Sequence, residues 1–190
     1  MLTLLAVISS ARRPTCDVRS FGAVGDNYTS CTRAINDAIA ACEHILLPPG
    51  VFSSGTIALR NDTQITLVAG ATLVGRVGEL APPAPNPFWT NESQFEDFAH
   101  AHWHDSLIIG DGVRNVTVRG PGTIDGGVAL TTSADCPPPG LGGKLIALRS
   151  SSHVTLDGFA TARGGAFSLL ATDVEHLHVR GVRVRAESHI

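Results

Sequence analysis

In the run HAHWHD, His100, His102 and His104 alternate, so an extended backbone would set three imidazoles on one side with Asp105 beside them. Imidazole and carboxylate are ligands of a zinc-type centre, but nothing else in the sequence closes and supports such a shell, and no metal is assigned. The same run offers a second chemistry. Trp103 could stack on a sugar ring while His104 supplies a hydrogen bond at the rim, and these two are candidates for contact with a carbohydrate. A third group is cationic: Arg163, Arg180, Arg183 and Arg185. Guanidinium forks match carboxylates bidentately, so Arg183 and Arg185 are candidates for holding an acidic polysaccharide. Each group has a plainer reading as well, in which Trp103 covers a core and the arginines are the solvated side of a strand.

Cleaving a glycosidic bond with inversion needs a carboxylic acid and a carboxylate base about 6.5 to 9.5 Å apart. Asp125, Asp157 and Asp173 are the nearby carboxylates, but each sits where corners favour aspartate for local hydrogen bonding. No catalytic residue is assigned among them. The four cysteines are Cys16, Cys31, Cys42 and Cys136. If 31–42 is helical, Cys31 and Cys42 lie about 16 Å apart along the axis and cannot bond each other. Cys16 with Cys42 is the preferred bridge, and buried reduced thiols are the alternative.

Such groups need a frame, and the stretch NVTVRGPGTIDG, Asn115 to Gly126, shows what it is. Val116 and Val118 alternate with Thr117 and Arg119, a Gly-Pro-Gly break follows, and Ile124 resumes the pattern. Twenty-residue windows starting at Thr56, Leu107, Leu145 and Ser168 align with this unit. They put Ile57, Ile108, Ile146 and Leu169 in one column, and Ile65, Val116, Val154 and Leu177 in another. Thr66, Thr117 and Thr155 share the next column, and Gly120, Gly158 and Gly181 a corner. Short strands and glycine corners at this period predict a solenoid whose turns bury apolar residues against each other. The fold class is all-β, a right-handed single-stranded parallel β-helix. Between Cys31 and Cys42 the period changes: Ile35, Ala38, Ile39 and Cys42 form a helical stripe, with Thr29 or Ser30 as N-cap. That helix is expected to cap the first coil. Against the closing spacing of 23 residues, the earlier spacings of 51 and 38 imply insertions of about 28 and 15, over 76–105 and 128–143.

With the frame in view, DVRSFGAVGDNYTSCTRAINDAIAAC, ILLPPGVFSSGTIAL, TQITLVAGATLVG and NVTVRGPGTIDGG resemble the N-terminal part of family 28 glycoside hydrolases. This is the polygalacturonase family, within the pectate-lyase-like β-helices, and the likeness runs on to about Glu187. Cys31 departs from it, since relatives usually carry an acidic or amide residue there. So does the short segment after Gly127, where many carry tryptophans. The resemblance implies hydrolysis of a uronic-acid or rhamnose-containing polysaccharide with inversion, without metal or organic cofactor. It also implies aspartates in Asn-x-Asp and Asp-Asp elements that these 190 residues do not contain. Residues 12–190 are therefore expected to be the N-terminal part of one β-helix domain, inactive alone, within a full-length protein expected to be monomeric. The alternative is a non-catalytic β-helix that binds glycans or serves as a structural module. A lyase of the same architecture would hold calcium on clustered carboxylates, and no such cluster is visible.

Composition narrows the partners. Fourteen basic and 17 acidic side chains give a net charge of −3, which is no footprint for nucleic acid. No stretch approaches the ~18 apolar residues of a membrane span. Residues 1–11 hold a short apolar run and a small-residue cleavage pattern, read as a short or truncated signal segment or a plain first strand. With Asn27, Asn61, Asn91 and Asn115 in glycosylation sequons, the expectation is a secreted protein.

Overall fold

The computed structural model describes residues 14–82, 104–132 and 140–185. The chain winds as a parallel β-helix, and every strand pair among the described residues is parallel. One face stacks β1 (Thr15–Asp17), β3 (His44–Leu47), β6 (Gln64–Leu67), β9 (Arg114–Arg119) and the second halves of β11 (Lys144–Asp157) and β13 (Phe167–Arg180). The second face stacks β2 (Asp26–Ser30), β4 (Gly50–Ser54), β7 (Ala71–Gly75), β10 (Thr123–Asp125), β12 (Ala160–Ala162) and β14 (Arg183–Arg185). The third stacks β5 (Ile57–Ala58), β8 (Ser106–Asp111) and the first halves of β11 and β13.

Apolar ladders fill the interior. Ile57, Ile108, Ile146 and Leu169 are registered partners, as the repeat predicts. At about 1.5 to 3 kcal/mol for each fully buried aliphatic side chain, such ladders supply the main driving force for winding. On the second face the inward column is Phe52, Leu73, Ile124, Thr161 and Val184. The other predicted column needs correction. Val116, Val154 and Leu177 are partners, but Ile65 pairs with Val118, and Thr66 with Arg119 rather than Thr117. Only eight residues separate Ile57 from Ile65 where ten separate Ile108 from Val118, so the turn after β5 is two residues shorter and the gapless alignment slips.

Corners use backbone that tolerates a left-handed turn. Asn115, His153 and His176 share a corner column at φ 54 to 56°, and the Asn115 amide donates to Asp62, itself at 62°. Asparagine, aspartate and histidine are the non-glycine residues that adopt this conformation at least cost. These residues let β11 and β13 run from the third face of one coil into the first face of the next.

Helix α1 (Thr32–Ala41) lies over the first coil with Ala34, Ile35, Ala38 and Ile39 buried. Its N-cap is Cys31, not Thr29 or Ser30, and Cys31 makes no side-chain cap bond to the helix. The Cys31 thiol is buried and donates to the carbonyls of Val24 and Thr29, and burial pushes its pKa up. Cys16 is joined to Cys42, with Cα atoms 6.2 Å apart, tying the first strand to the end of the helix. After β1, Val18–Phe21 form a 3-10 turn closed by Gly22 at φ 95°. No helix among the described residues is long and apolar enough to cross a membrane.

Candidate functional site

The edge between the second and third faces is where chemistry gathers, because both insertions leave and rejoin the solenoid there. The first leaves after β7 and returns at His104. Its departure is fixed by Glu79, whose carboxylate accepts from the Ser30 hydroxyl at 2.6 Å, the Thr32 hydroxyl and Arg76 Nε at 2.8 Å. Thr32 is the first helical residue of α1, so an acid 47 residues downstream supplies the negative charge that the cap lacks. Burial pushes this carboxyl upward, but the two hydroxyls and the guanidinium outweigh it and hold its pKa below the usual range.

The returns of both insertions are locked to each other. Lys144 and Asp105 are fully buried and paired at 2.7 Å, and Asp105 also accepts from the Gly143 amide at 3.1 Å. Lys144 faces the interior in register with Ser106. Burial raises the Asp105 carboxyl above its ordinary value, and the Lys144 ammonium pulls against that rise. The residue read from sequence as the companion of a histidine loop is thus a core tie.

His104 stands just ahead of β8, where the first insertion rejoins the solenoid, and burial lowers its imidazole, with Asp111 acting upward and Arg149 downward. An imidazole held low is neutral at pH 7 and can accept or donate at one nitrogen each. Arg149 grips Asp111 with Nε and a terminal nitrogen at 3.1 and 2.9 Å. His100, His102 and Trp103 lie outside the described residues, and so does Cys136. Among the described residues no group of three or more His, Cys, Asp or Glu could hold a metal ion.

The outward side of the second face carries Arg183 and Arg185, with Arg163 just past the end of β12, whereas Arg180 lies on the first face. Arg163 grips Asp125 through two nitrogens, Nε at 2.7 Å, and Asp125 also caps the Gly127 amide at 2.9 Å. Asp157 is paired with Arg180 at 3.1 Å, and Asp173 sits at φ 54° on the corner between two faces. Arg183 and Arg185 are exposed on β14, and Arg185 is registered beside Ala162, the neighbour of Arg163. Arg185 lines a hollow of about 150 Å³ with Arg163, Gly164 and Ser168. Arg163 also closes one end of a larger open cleft of about 450 Å³, which the sequence did not reveal. Its residues come from five coils and include Asn27, Ser53, Arg76 and Val128. The sequence candidates therefore divide, with His104 ahead of β8 at the return of the first insertion and Arg183 and Arg185 on the second face.

No family model matches the chain. Over 115 residues it is 33% identical to an exo-poly-α-D-galacturonosidase from Dickeya chrysanthemi, a match covering 58% of this chain and 19% of that enzyme. Among solved structures, the family 28 exopolygalacturonase of Yersinia enterocolitica superposes with a TM-score of 0.69 at 23% identity, covering 92% of this chain and 39% of that one. A hyperthermoactive exopolygalacturonase from Thermotoga maritima gives a TM-score of 0.72 at 14% identity, over 92% and 48%. The chain thus spans less than half the length of these relatives, and the structural likenesses establish the β-helix architecture.

Proposed function

The chain is a relative of the family 28 glycoside hydrolases over part of their length, and from that premise we propose that it carries the polysaccharide-binding frame of a polygalacturonase-like protein, secreted and acting on pectin-like, uronic-acid chains. The observation that carries this reading is the 33% identity over 115 residues to an exo-poly-α-D-galacturonosidase. Exposed guanidinium groups on a rigid solenoid suit an acidic polysaccharide, because those held in place by neighbouring groups lose little freedom on binding. The disulfide between Cys16 and Cys42 suits an oxidising, extracellular setting.

These 190 residues are proposed to bind without hydrolysing. Inversion needs an acid and a base at a defined separation, and Asp111, Asp125 and Asp157 are each engaged by an arginine. That engagement also favours a second reading, a non-catalytic glycan-binding β-helix. The test is calorimetric titration of the 190-residue chain with trigalacturonate and with neutral galactotriose, alongside a reducing-end assay on polygalacturonate. The expected result is binding of the acidic trimer, no binding of the neutral one and no new reducing ends. Preference for the neutral trimer would sink the substrate class, and release of reducing ends lost on Asp125→Asn would move catalysis into these coils.

A further inference from the structure

The corner between the third and first faces brings two imidazoles together, well away from the arginines of the second face. His153 lies where β11 turns from one face into the next, and His176 where β13 does. They occupy the same step of successive coils, because Ser152 is registered with Glu175 and Val154 with Leu177. Both have left-handed backbone, at φ 56° and 54°, and both side chains are exposed. Their ring centroids are 4.6 Å apart and the ring planes are tilted by 41°. Parallel strands repeat at ~4.8 Å, so the separation of the rings is set by the winding of the fold. Apart from each other, neither ring has a partner among the described residues.

The separation has a chemical meaning. An imidazole nitrogen stands about 1.1 Å from its ring centre and about 2.0 to 2.1 Å from a bound first-row metal ion. Two rings with centres 4.6 Å apart, each aiming one nitrogen at a shared ion, therefore subtend about 90° at that ion. A tetrahedral angle would need centres about 5.2 Å apart. A right angle between nitrogen ligands is the tetragonal preference of copper(II) and nickel(II), whereas zinc favours the tetrahedron. No third His, Cys, Asp or Glu joins the pair among the described residues, which leaves the remaining positions to water.

We propose that His153 and His176 form an exchangeable site for a tetragonal first-row cation of the copper(II) and nickel(II) class, stapling the coil of β13 to that of β11. Among the described residues β13 pairs with β11 alone, so this coil is the one with most to gain from a second tie. The two ligands are 23 residues apart in the chain and are brought together by the parallel register, so the ion binds the folded chain in preference to the unfolded one and stabilises it by mass action. The site stands independently of the proposed substrate class.

Nickel(II) chloride is the probe, since it does not oxidise thiols. It is titrated calorimetrically at about pH 8, because ligating imidazoles must be deprotonated. The whole chain is used with His100→Ala and His102→Ala, which removes the competing histidine run. Binding of one ion per chain and a rise in melting temperature with added nickel(II) are expected. His153→Asn and His176→Asn should each weaken binding at least about tenfold, the loss of one of two ligands, and should abolish the rise. Asparagine preserves the corner, since Asn115 occupies the same column at φ 56°, and the metal-free melting temperatures should match that of the parent. His178→Ala, at an exposed position two residues further along β13, should leave binding unchanged. Nickel(II) binding that survives both asparagine substitutions, equal weakening by His178→Ala, or no binding to the parent up to about 1 mM, the range of weak association, would overturn the site.

Discussion

At the scale of the residue, Lys144 and Asp105 decide whether the two insertions rejoin the solenoid correctly. The pair is fully buried, and its ammonium opposes the upward push of burial on the carboxyl. Lys144→Met should lower the unfolding free energy by about 3 to 5 kcal/mol at neutral pH, because an uncompensated carboxylate remains inside. The sign of the pH dependence follows. A carboxyl whose folded pKa lies above its unfolded value contributes stability that is complete below the unfolded value and is lost as pH rises through the folded one. The deficit measured by urea titration should therefore shrink toward pH 4, and Asp105→Leu in the same chain should recover much of it. An unchanged midpoint would show that the pair is not a tie. Neither partner was legible as such, since they stand 39 residues apart across an insertion. The one available signal was a lysine at an inward position of a strand whose next inward residues are Ile146 and Leu148.

Among the elements, α1 shows what periodicity reveals and what it misses. Its apolar stripe was legible because burial demands a 3.6-residue repeat, and Ile35 and Ile39 are 0% and 1% exposed against the first coil. Its start was not, because the charge at its N-terminus comes from Glu79, on the root of an insertion rather than from the preceding residues. The same limit applies to the register of β6. Alternation fixes which side of a strand is buried, but the length of a turn fixes its partner, and a turn two residues shorter moved Ile65 beside Val118. Ile39→Asp should cost about 3 kcal/mol or more, a core truncation together with a buried charge. Chemical denaturation with a midpoint equal to that of the parent would show that the helix does not cover the core.

Across the whole molecule, a solenoid is stable because each coil covers the one before it, and the described coils are covered unequally. Toward the N-terminal side α1 and the first coil leave Ile35, Ile39 and Ile45 essentially inaccessible. Toward the other side β13 pairs only with β11 and β14 only with β12, so each presents a row of backbone donors and acceptors without a strand beyond it among the described residues. The inward column that begins with buried Phe52 reaches this side at Val184, which is 62% exposed, and Val179 is 49% exposed. Parallel edges of this kind are templates for a further strand, and a second copy is available whenever the 190-residue chain is concentrated alone. The chain in isolation should therefore associate as its concentration rises, read by sedimentation velocity. Val184→Lys should reverse this, because a charge on the open end of the apolar column must be desolvated by any strand that stacks there. The substitution should leave the fold intact, since the parent side chain is mostly exposed. A single sharp monomer boundary for the parent chain across the concentration range would refute this account of the edge without touching the repeat register or the cleft.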